Sequence, residues 1–321
     1  MQKSVSIIIP NYNGKHLLEA YLPSVFEAIE NAGVEYELII VDDHSTDNSV
    51  AFIQQIYPSV KLLVNAQNAG FSYTCNRGIQ VACYELILLL NSDVKLTPGY
   101  FFNQWKYFEG KDTFGVMGCI MQMKGNKIED AARLLYYSGC RIRADRFYFS
   151  RNDVDTPCYT AYLSGANALI DAEKLKKLGG FDELFSPFYS EDLDLSLRAW
   201  ELGWKCYYEH DSVCYHHVSS TTKTQNKKRF VKSIYYRNRF ALQKLHLIGW
   251  RALFWPVQLL FIEFIPKMLI GNFWILKSFR DYLNLSKKIT VSKQKFSKLK
   301  KEFNSSLTVD DIVRLFPSGR S

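Results

Sequence analysis

The sequence predicts an α/β protein with a largely parallel sheet, on three observations. Short, unbroken apolar runs recur at Val5 to Pro10 (VSIIIP), Tyr36 to Asp42 (YELIIVD) and Leu86 to Asn91 (LILLLN). Runs of this kind suit strands buried on both faces. Helical periodicities separate them, and polar residues cluster just beyond each run, where ligands of open α/β sheets collect.

The first run is followed by a helix whose core face carries Leu17, Leu18, Tyr21, Leu22, Val25, Phe26 and Ile29. A shorter helix is predicted from Asn48 to Tyr57. Strand, helix, strand in this order implies right-handed crossovers. The polar residues to read are Asn11 to Asn13, Asp42 and Asp43, and Asn91 to Asp93. A single acid at a strand end is commonly a turn-former or helix cap. Three clusters at three strand ends favour a site.

Residues 98 to 158 show no clear period and form the variable half of the domain. Periodicity returns at Ala161 with AYLSGANALI, a helix from about Ala172 to Leu178, and GGFDELFSPFYSEDLDLSLRAWELGWK. Ser190 resembles a helix start, with Glu191 and Asp192 in a first turn whose dipole favours acids. Asp194 and Arg198, spaced i,i+4, predict a structural pair. A strand-like segment at Asp211 to Tyr215 leads into His216 and His217.

Charge divides the 321-residue chain. Residues 1–222 carry 19 basic and 27 acidic side chains, a net −8, whereas 223–321 carry 21 basic and 5 acidic, a net +16. An acidic body with a basic, aromatic tail points to an anionic membrane surface and away from nucleic acid. Lys227 to Leu247 predicts a basic aromatic helix. Ala252 to Leu276 approaches spanning length but is interrupted by Pro256, Glu263, Pro266, Lys267 and Gly271, which predicts two short amphipathic helices lying in the interface, anchored by Trp250, Trp255 and Trp274. The expected organisation is a catalytic domain over 1–222, a membrane-associating helical region over 223–285, and a loosely ordered Lys/Ser-rich tail over 286–321 with one short helix near Leu307 to Leu315. Seven cysteines without a CxxC pair imply neither a disulfide framework nor a zinc knuckle. With no charged leader and apolar core at Met1 to Ser6, the expected location is cytoplasmic, peripheral on the inner face of the cell membrane.

Asn91-Ser92-Asp93 places hard oxygen ligands at a strand end, which suits Mg²⁺ or Mn²⁺ shared with a diphosphate. Asp42 and Asp43 offer carboxylates to a nucleobase or ribose hydroxyl. The ordered blocks VSIIIPNYN, LIIVDDHSTDNS, NAGFSYTCNRGI, LILLLNSDV, SGANALI, GGFDELF and YSEDLDLSLRAWELGW resemble the family 2 glycosyltransferases with the GT-A fold, over roughly residues 5–220. LNSDV and the ED helix resemble the rhamnosyltransferase-like branch, and YYRNRF (Tyr235 to Phe240) is a familiar segment beyond them.

This resemblance implies a GT-A, Rossmann-like mixed sheet flanked by helices, with a C-terminal helical membrane-associating extension. It implies inverting transfer from a nucleotide-diphosphate sugar to a hydroxyl of a glycan or lipid-linked acceptor in cell-surface polysaccharide synthesis, assisted by Mg²⁺ or Mn²⁺. Pro10, Asn11, Tyr12 and Asp42 or Asp43 would hold the nucleoside, with Asn76 and Arg77 near it. Asn91, Ser92 and Asp93 stand where the family carries its DXD motif; Asn replaces the first acid, which leaves Asp93 as the metal ligand. Asp192 matches the general base, with Glu191 beside it. His216, ahead of His217, is the candidate near the metal or diphosphate, and Gly165 would admit the backbone to the donor sugar. A nucleotidyltransferase would need a better triphosphate loop than PNYNGK, and a non-catalytic sugar-nucleotide or glycan-binding module would not need the ED pair.

Overall fold

The computed structural model describes residues 3–124, 127–147, 158–217 and 225–317. Its N-terminal half carries the predicted β1 (Ser4–Asn11), α1 (Lys15–Ala32), β2 (Glu35–Asp42), α2 (Ser49–Ile56) and β4 (Leu86–Leu90), and adds β3 (Lys61–Val64) and α3 (Phe71–Val81) before β4. β1 pairs in parallel with both β2 and β4, and β2 with β3. Ile7 and Ile9 pack toward α1 with Leu18, Leu22 and Val25, while Ile8 packs on the opposite face with Ile79 of α3. Burial of both faces explains why these strands read as unbroken apolar runs.

The irregular 98–158 region contributes more to the sheet than its sequence suggests. After β5 (Val94–Leu96) come β6 (Thr113–Gln122), β7 (Ile128–Asp130), and a hairpin of β8 (Arg133–Ser138) and β9 (Arg141–Phe147). β10 (Cys158–Tyr159), β11 (Asn167–Asp171), α4 (Ala172–Lys177), α5 (Glu191–Glu201) and β12 (Lys205–His216) complete the body. The order β10-β12-β6-β11-β4-β1-β2-β3 joins a parallel half to a mixed half, with β11 antiparallel to both β4 and β6. A side chain at Gly118 of β6 would run into the Ser212 carbonyl of β12, so the glycine permits this close strand approach.

Beyond the body lie α6 (Gln225–His246), α7 (Gly249–Gln258), α8 (Ile265–Leu269), α9 (Trp274–Asn284), α10 (Ser286–Glu302) and α11 (Val309–Val313). The expected break into two short helices does not occur. A π-helical turn over Leu259–Phe264 joins α7 to α8, so Gly249–Leu269 is one 21-residue helix, long and apolar enough by length and composition to cross a membrane. Pro256 and Pro266 both lie within this continuous helix, and the π-helical turn between them interrupts the regular i→i−4 ladder just before Pro266. Trp255, Leu259 and Glu263 form the buried side of this helix; Trp250, Leu253, Phe254, Phe261 and Ile262 are exposed.

The expected loose tail is also corrected. α10 is regular, and Ile289, Val309, Ile312 and Phe316 are buried in the same core as α5. Lys300 pairs with Glu201 of α5 at 2.9 Å, and Thr308 and Asp311 form a capping box on α11. The predicted 222/223 boundary lies outside the described residues.

Candidate active site

The loops after β1 and β2 are laced together. Asp42 is fully buried and accepts from Asn11 Nδ2 at 2.8 Å, Ser45 N at 2.8 Å and Ser45 Oγ at 2.7 Å. Asn13 Oδ1 accepts from the Thr46 and Asp47 amides, and Asp47 accepts from Lys15 N. Asp43 turns to the next loop, accepting from Asn65 Nδ2, Ala69 N and Gly70 N at 2.7–2.9 Å. These bonds take three of the roughly four acceptor sites of each carboxylate, so Asp42 and Asp43 brace the walls of the cleft. Pro10 pairs in register with Val41, and the Tyr12 ring is 54% exposed at the same strand end, available for stacking.

The end of β4 meets the loop before β11: Asn91 N donates to Ala166 O, and Ser92 Oγ lies beside Gly14. Asp93 Oδ2 is 3.2 Å from His216 Nε2, and His216 Nδ1 is 2.7 Å from Glu129 Oε1 of β7. Burial pulls the His216 imidazole down, but Asp93 and Glu129 outweigh it and lift it to about 9. His217 faces elsewhere, with Nδ1 2.9 Å from Tyr21 Oη. Among the described residues, no three His, Cys, Asp or Glu side chains form a complete cation cage. Asp93 Oδ1 is nevertheless buried without a partner. A carboxylate with one unused buried oxygen beside an imidazole fits a small divalent cation that takes its remaining ligands from a diphosphate.

Glu191 and Asp192 open α5 after two consecutive non-glycine residues in the left-handed region, Tyr189 (φ 75°) and Ser190 (φ 74°). That conformation costs of order 1–3 kcal/mol per residue and persists only where the surroundings impose it. Ser190 does not cap the helix with its side chain. Burial, then the neighbouring Asp192 charge, raises the Glu191 carboxyl; burial also raises Asp192, with the Gly165 N–H opposing it. Glu191 Oε2 and Asp192 Oδ1 are both buried without partners. A Cβ at Gly165 would sit 2.9 Å from both Asp192 Oδ1 and the Phe71 ring. Gly165 therefore clears space for the Asp192 carboxylate. The next residue, Ala166, bonds Asn91, and Asp130, next to Glu129, lies close enough to act on the Asp192 charge. The two carboxylate centres are thus linked through neighbouring loops: Asp192 meets Gly165, and Ala166 bonds the Asn91 turn that leads to Asp93.

A cavity of about 430 Å³ adjoins the ED pair, walled by Tyr162, Tyr189, Arg143, Tyr235 and Arg239. A larger one of about 730 Å³, between Gln67, Tyr73 and the lysines of α10, includes none of Asp93, Glu191 or Asp192 in its walls.

The profile of Glycosyl transferase family 2 matches residues 6–179, which is more than half of the chain and includes β1, the Asn91–Asp93 turn and Gly165. The chain belongs to this family. The glycosyltransferase is 25% identical over 250 residues to an N-acetylglucosaminyl-diphospho-decaprenol L-rhamnosyltransferase of Mycobacterium tuberculosis, covering 69% of this chain and 78% of that one. Three further curated relatives match over 96 to 99 residues, and this chain covers at most 29% of their own length. In structure it resembles GalNAc-T7 with UDP, GalNAc and Mn²⁺ (TM-score 0.67, 15% identity, 98% of this chain and 58% of that one). It also resembles the mannosyltransferase PcManGT of Pyrobaculum calidifontis with GDP-Man and Mn²⁺ (TM-score 0.54, 15% identity, 98% and 85%). The fold is GT-A.

Two expectations for the glycosyltransferase's nucleotide site need correction. Asn76 is spent inside the fold: Nδ2 donates to Phe181 O and Glu183, and Oδ1 accepts from Phe181 N. Arg77 donates to Val64 O and Asn65 Oδ1, fastening the end of β3. Both act as struts. The predicted Asp194–Arg198 pair forms at 2.8 Å and extends through His246 to Glu201.

Two contributors were not assigned to the site from the sequence, although one of them, Asn238, lies in the YYRNRF segment. Glu129 sits on a three-residue strand without periodicity. Asn238 is a buried asparagine in mid-helix, and its Nδ2 lies within 2.5–2.9 Å of the Phe185, Phe188 and Tyr189 carbonyls. It pins the strained turn that delivers Asp192. Asn238→Ala is expected to lower stability by about 1–3 kcal/mol, the cost of stranding buried acceptors, and to lower kcat more than it raises KM; denaturant melts and steady-state kinetics check both.

Proposed function

We propose that the glycosyltransferase is an inverting enzyme that moves a sugar from a nucleoside diphosphate to a hydroxyl of a glycan or lipid-linked acceptor, in the synthesis of cell-surface polysaccharide. The observation that carries this reading is Asp192 Oδ1, buried without a partner beside Gly165, whose neighbour Ala166 bonds the turn that leads to Asp93. Asp192 accepts the proton of the acceptor hydroxyl as that oxygen attacks the anomeric carbon. Attack comes from the face opposite the diphosphate, which departs with the bonding electron pair, so the new linkage is inverted. Glu191, buried beside Asp192, disfavours a second negative charge and tunes the base. Asn11 and Tyr12, with the walls braced by Asp42 and Asp43, receive the nucleoside. Asn91 and Ser92 shape the turn that presents Asp93. Asp93 and His216 would hold Mg²⁺ or Mn²⁺, which neutralises charge on the leaving diphosphate when bound. The UDP and GDP-Man named with Mn²⁺ for the two structural relatives support this donor class.

A thermal-shift panel of UDP-, GDP- and dTDP-sugars with Mn²⁺ or Mg²⁺ tests the donor assignment. One nucleotide class should raise Tm in a concentration-dependent way, because a ligand that binds only the folded chain stabilises it by mass action. No shift with any of them contradicts the reading.

The same proposal places the protein peripherally on the inner, anionic face of the membrane. Gly249–Leu269 spans about 31 Å at 1.5 Å per residue, but its Glu263 side is bonded to the body, and its exposed side carries Trp250, Phe254 and Phe261. That arrangement supports a helix lying along the interface. Leu253→Glu with Phe261→Glu should move the protein from the pellet to the supernatant in sedimentation with anionic vesicles; equal pelleting contradicts the assignment. Point changes are preferable to deletion because α10 and α11 carry core residues.

A further inference from the structure

We infer that the cavity beside Glu191 and Asp192 recognises a phosphate or diphosphate ester on the acceptor, through an arginine cluster that shares its walls with the acids. This rests on the proposed sugar transfer and names the acceptor's chemical class. Arg143 and Arg239 line the cavity. Behind them, Arg141 is ion-paired with Glu263, which also takes Lys267 at 3.0 Å and Arg239 at 3.5 Å. Arg143 is ion-paired with Asp145. Four cations therefore share two carboxylates among the described residues, an excess of two positive charges.

The cluster is under electrostatic tension. Arg141 Nε is buried with no partner. Burial, followed by the charges of Arg239 and Arg143, brings its guanidinium down to about 10. Crowded, partly buried guanidiniums are costly unless an anion completes them, and their planar forks match phosphate oxygens in bidentate geometry. Arg239 is also held over the Tyr235 and Tyr236 rings, 5.2 and 4.9 Å from their centroids, which fixes the direction of its fork.

The surroundings indicate how such an acceptor lies. Tyr162 and Tyr189 line the same cavity as the acids and the arginines, and aromatic rings of this kind can stack on a sugar. Glu263, the counter-ion shared by Arg141, Arg239 and Lys267, belongs to the Gly249–Leu269 helix, whose other side is apolar and exposed. Gln258 of the same helix bonds Cys140 N and Ser138 O in the β8–β9 turn. A hydroxyl at Asp192 and an ester phosphate at the arginines would leave an attached lipid chain beside that apolar surface.

Binding without turnover separates this inference from the donor assignment. Geranyl diphosphate and inorganic pyrophosphate are titrated into the full chain by calorimetry, in EDTA and without nucleotide sugar. Geranyl diphosphate should bind the wild type at least as tightly as pyrophosphate, and Arg143→Gln/Arg239→Gln should weaken it about tenfold or more, as expected for loss of charge-assisted bidentate bonds. UDP affinity and Tm report on folding; if the double variant loses both, Arg143→Gln alone is used, since its side chain is the more exposed. Equal affinity in wild type and variant overturns the inference. So does binding of pyrophosphate with exclusion of geranyl diphosphate, or loss of binding only with Asp93→Ala. If the arginine variant changes only sedimentation with phosphatidylglycerol vesicles, the cluster serves the bilayer and the acceptor assignment falls.

Discussion

Asp192→Asn is expected to reduce transfer by about 10²- to 10⁴-fold, the usual contribution of a positioned general base, with donor affinity nearly unchanged. The same substitution should stabilise the fold at neutral pH. In the folded chain the Asp192 carboxyl is raised by burial, whereas the unfolded chain returns it to the ordinary carboxylate range. Between those two values the native state binds the extra proton, so stability falls as pH rises through the window and stays lower above it. Asn carries no charge to desolvate and should recover that loss. A melt at pH 8 should give a higher Tm for the variant, and at pH 4 the difference should narrow. For the wild type, kcat/KM should fall as pH drops through the raised value, because a protonated Asp192 cannot accept the hydroxyl proton. An acidic limb at the ordinary aspartate value would contradict the buried-base geometry.

Asp93→Ala is the second large effect. Its Oδ1 is buried without a partner and its Oδ2 lies against His216. Removing it should weaken Mn²⁺ binding and lower transfer by about 10²-fold or more, in line with loss of electrostatic stabilisation at a leaving group. Excess Mn²⁺ should restore part of the rate, whereas it should not rescue Asp192→Asn. Glu129→Gln tests the support behind the pair: loss of the bond that orients His216 should cost less than loss of Asp93, as for other outer-shell partners of metal ligands. Equal activity of Asp93→Ala and wild type at low metal would remove the cation from the proposed reaction.

β1, β2 and β4 were legible because each β–α unit is local, and burial on both faces writes an unbroken apolar run; β3, short and half-exposed, was not. Glu191, Asp192 and Asp93 were legible as acids at element ends. β6 was not, although it lies inside the sheet with ten residues: Gly115 and Gly118 read as breakers, yet at Gly118 the glycine serves the close approach of β12. Asn76 and Arg77 were assigned to the nucleotide from the block they occupy; the Asn76 amide instead satisfies buried backbone groups of Phe181, and Arg77 fastens the end of β3 at Val64 O and Asn65 Oδ1. Nothing in a one-dimensional pattern distinguishes an amide that meets ligand from one that closes a turn. Asn238 and Glu129 lie far from their partners in sequence, so only the tertiary fold joins them to the site. The tail misled for a related reason. Its lysines dominate the composition, while the few apolar side chains that anchor it, Ile289, Ile312 and Phe316, are spaced too sparsely to register.

The most direct test is the anomalous diffraction of Mn²⁺ in crystals grown with a nucleoside diphosphate. The proposed site requires a single strong peak at about 2.0–2.3 Å from Asp93 and His216, the range for oxygen- and nitrogen-bound divalent ions, with the Asp192 carboxylate across the same cleft from the diphosphate. A peak elsewhere, or an Asp192 walled off from the bound nucleotide, would contradict the account.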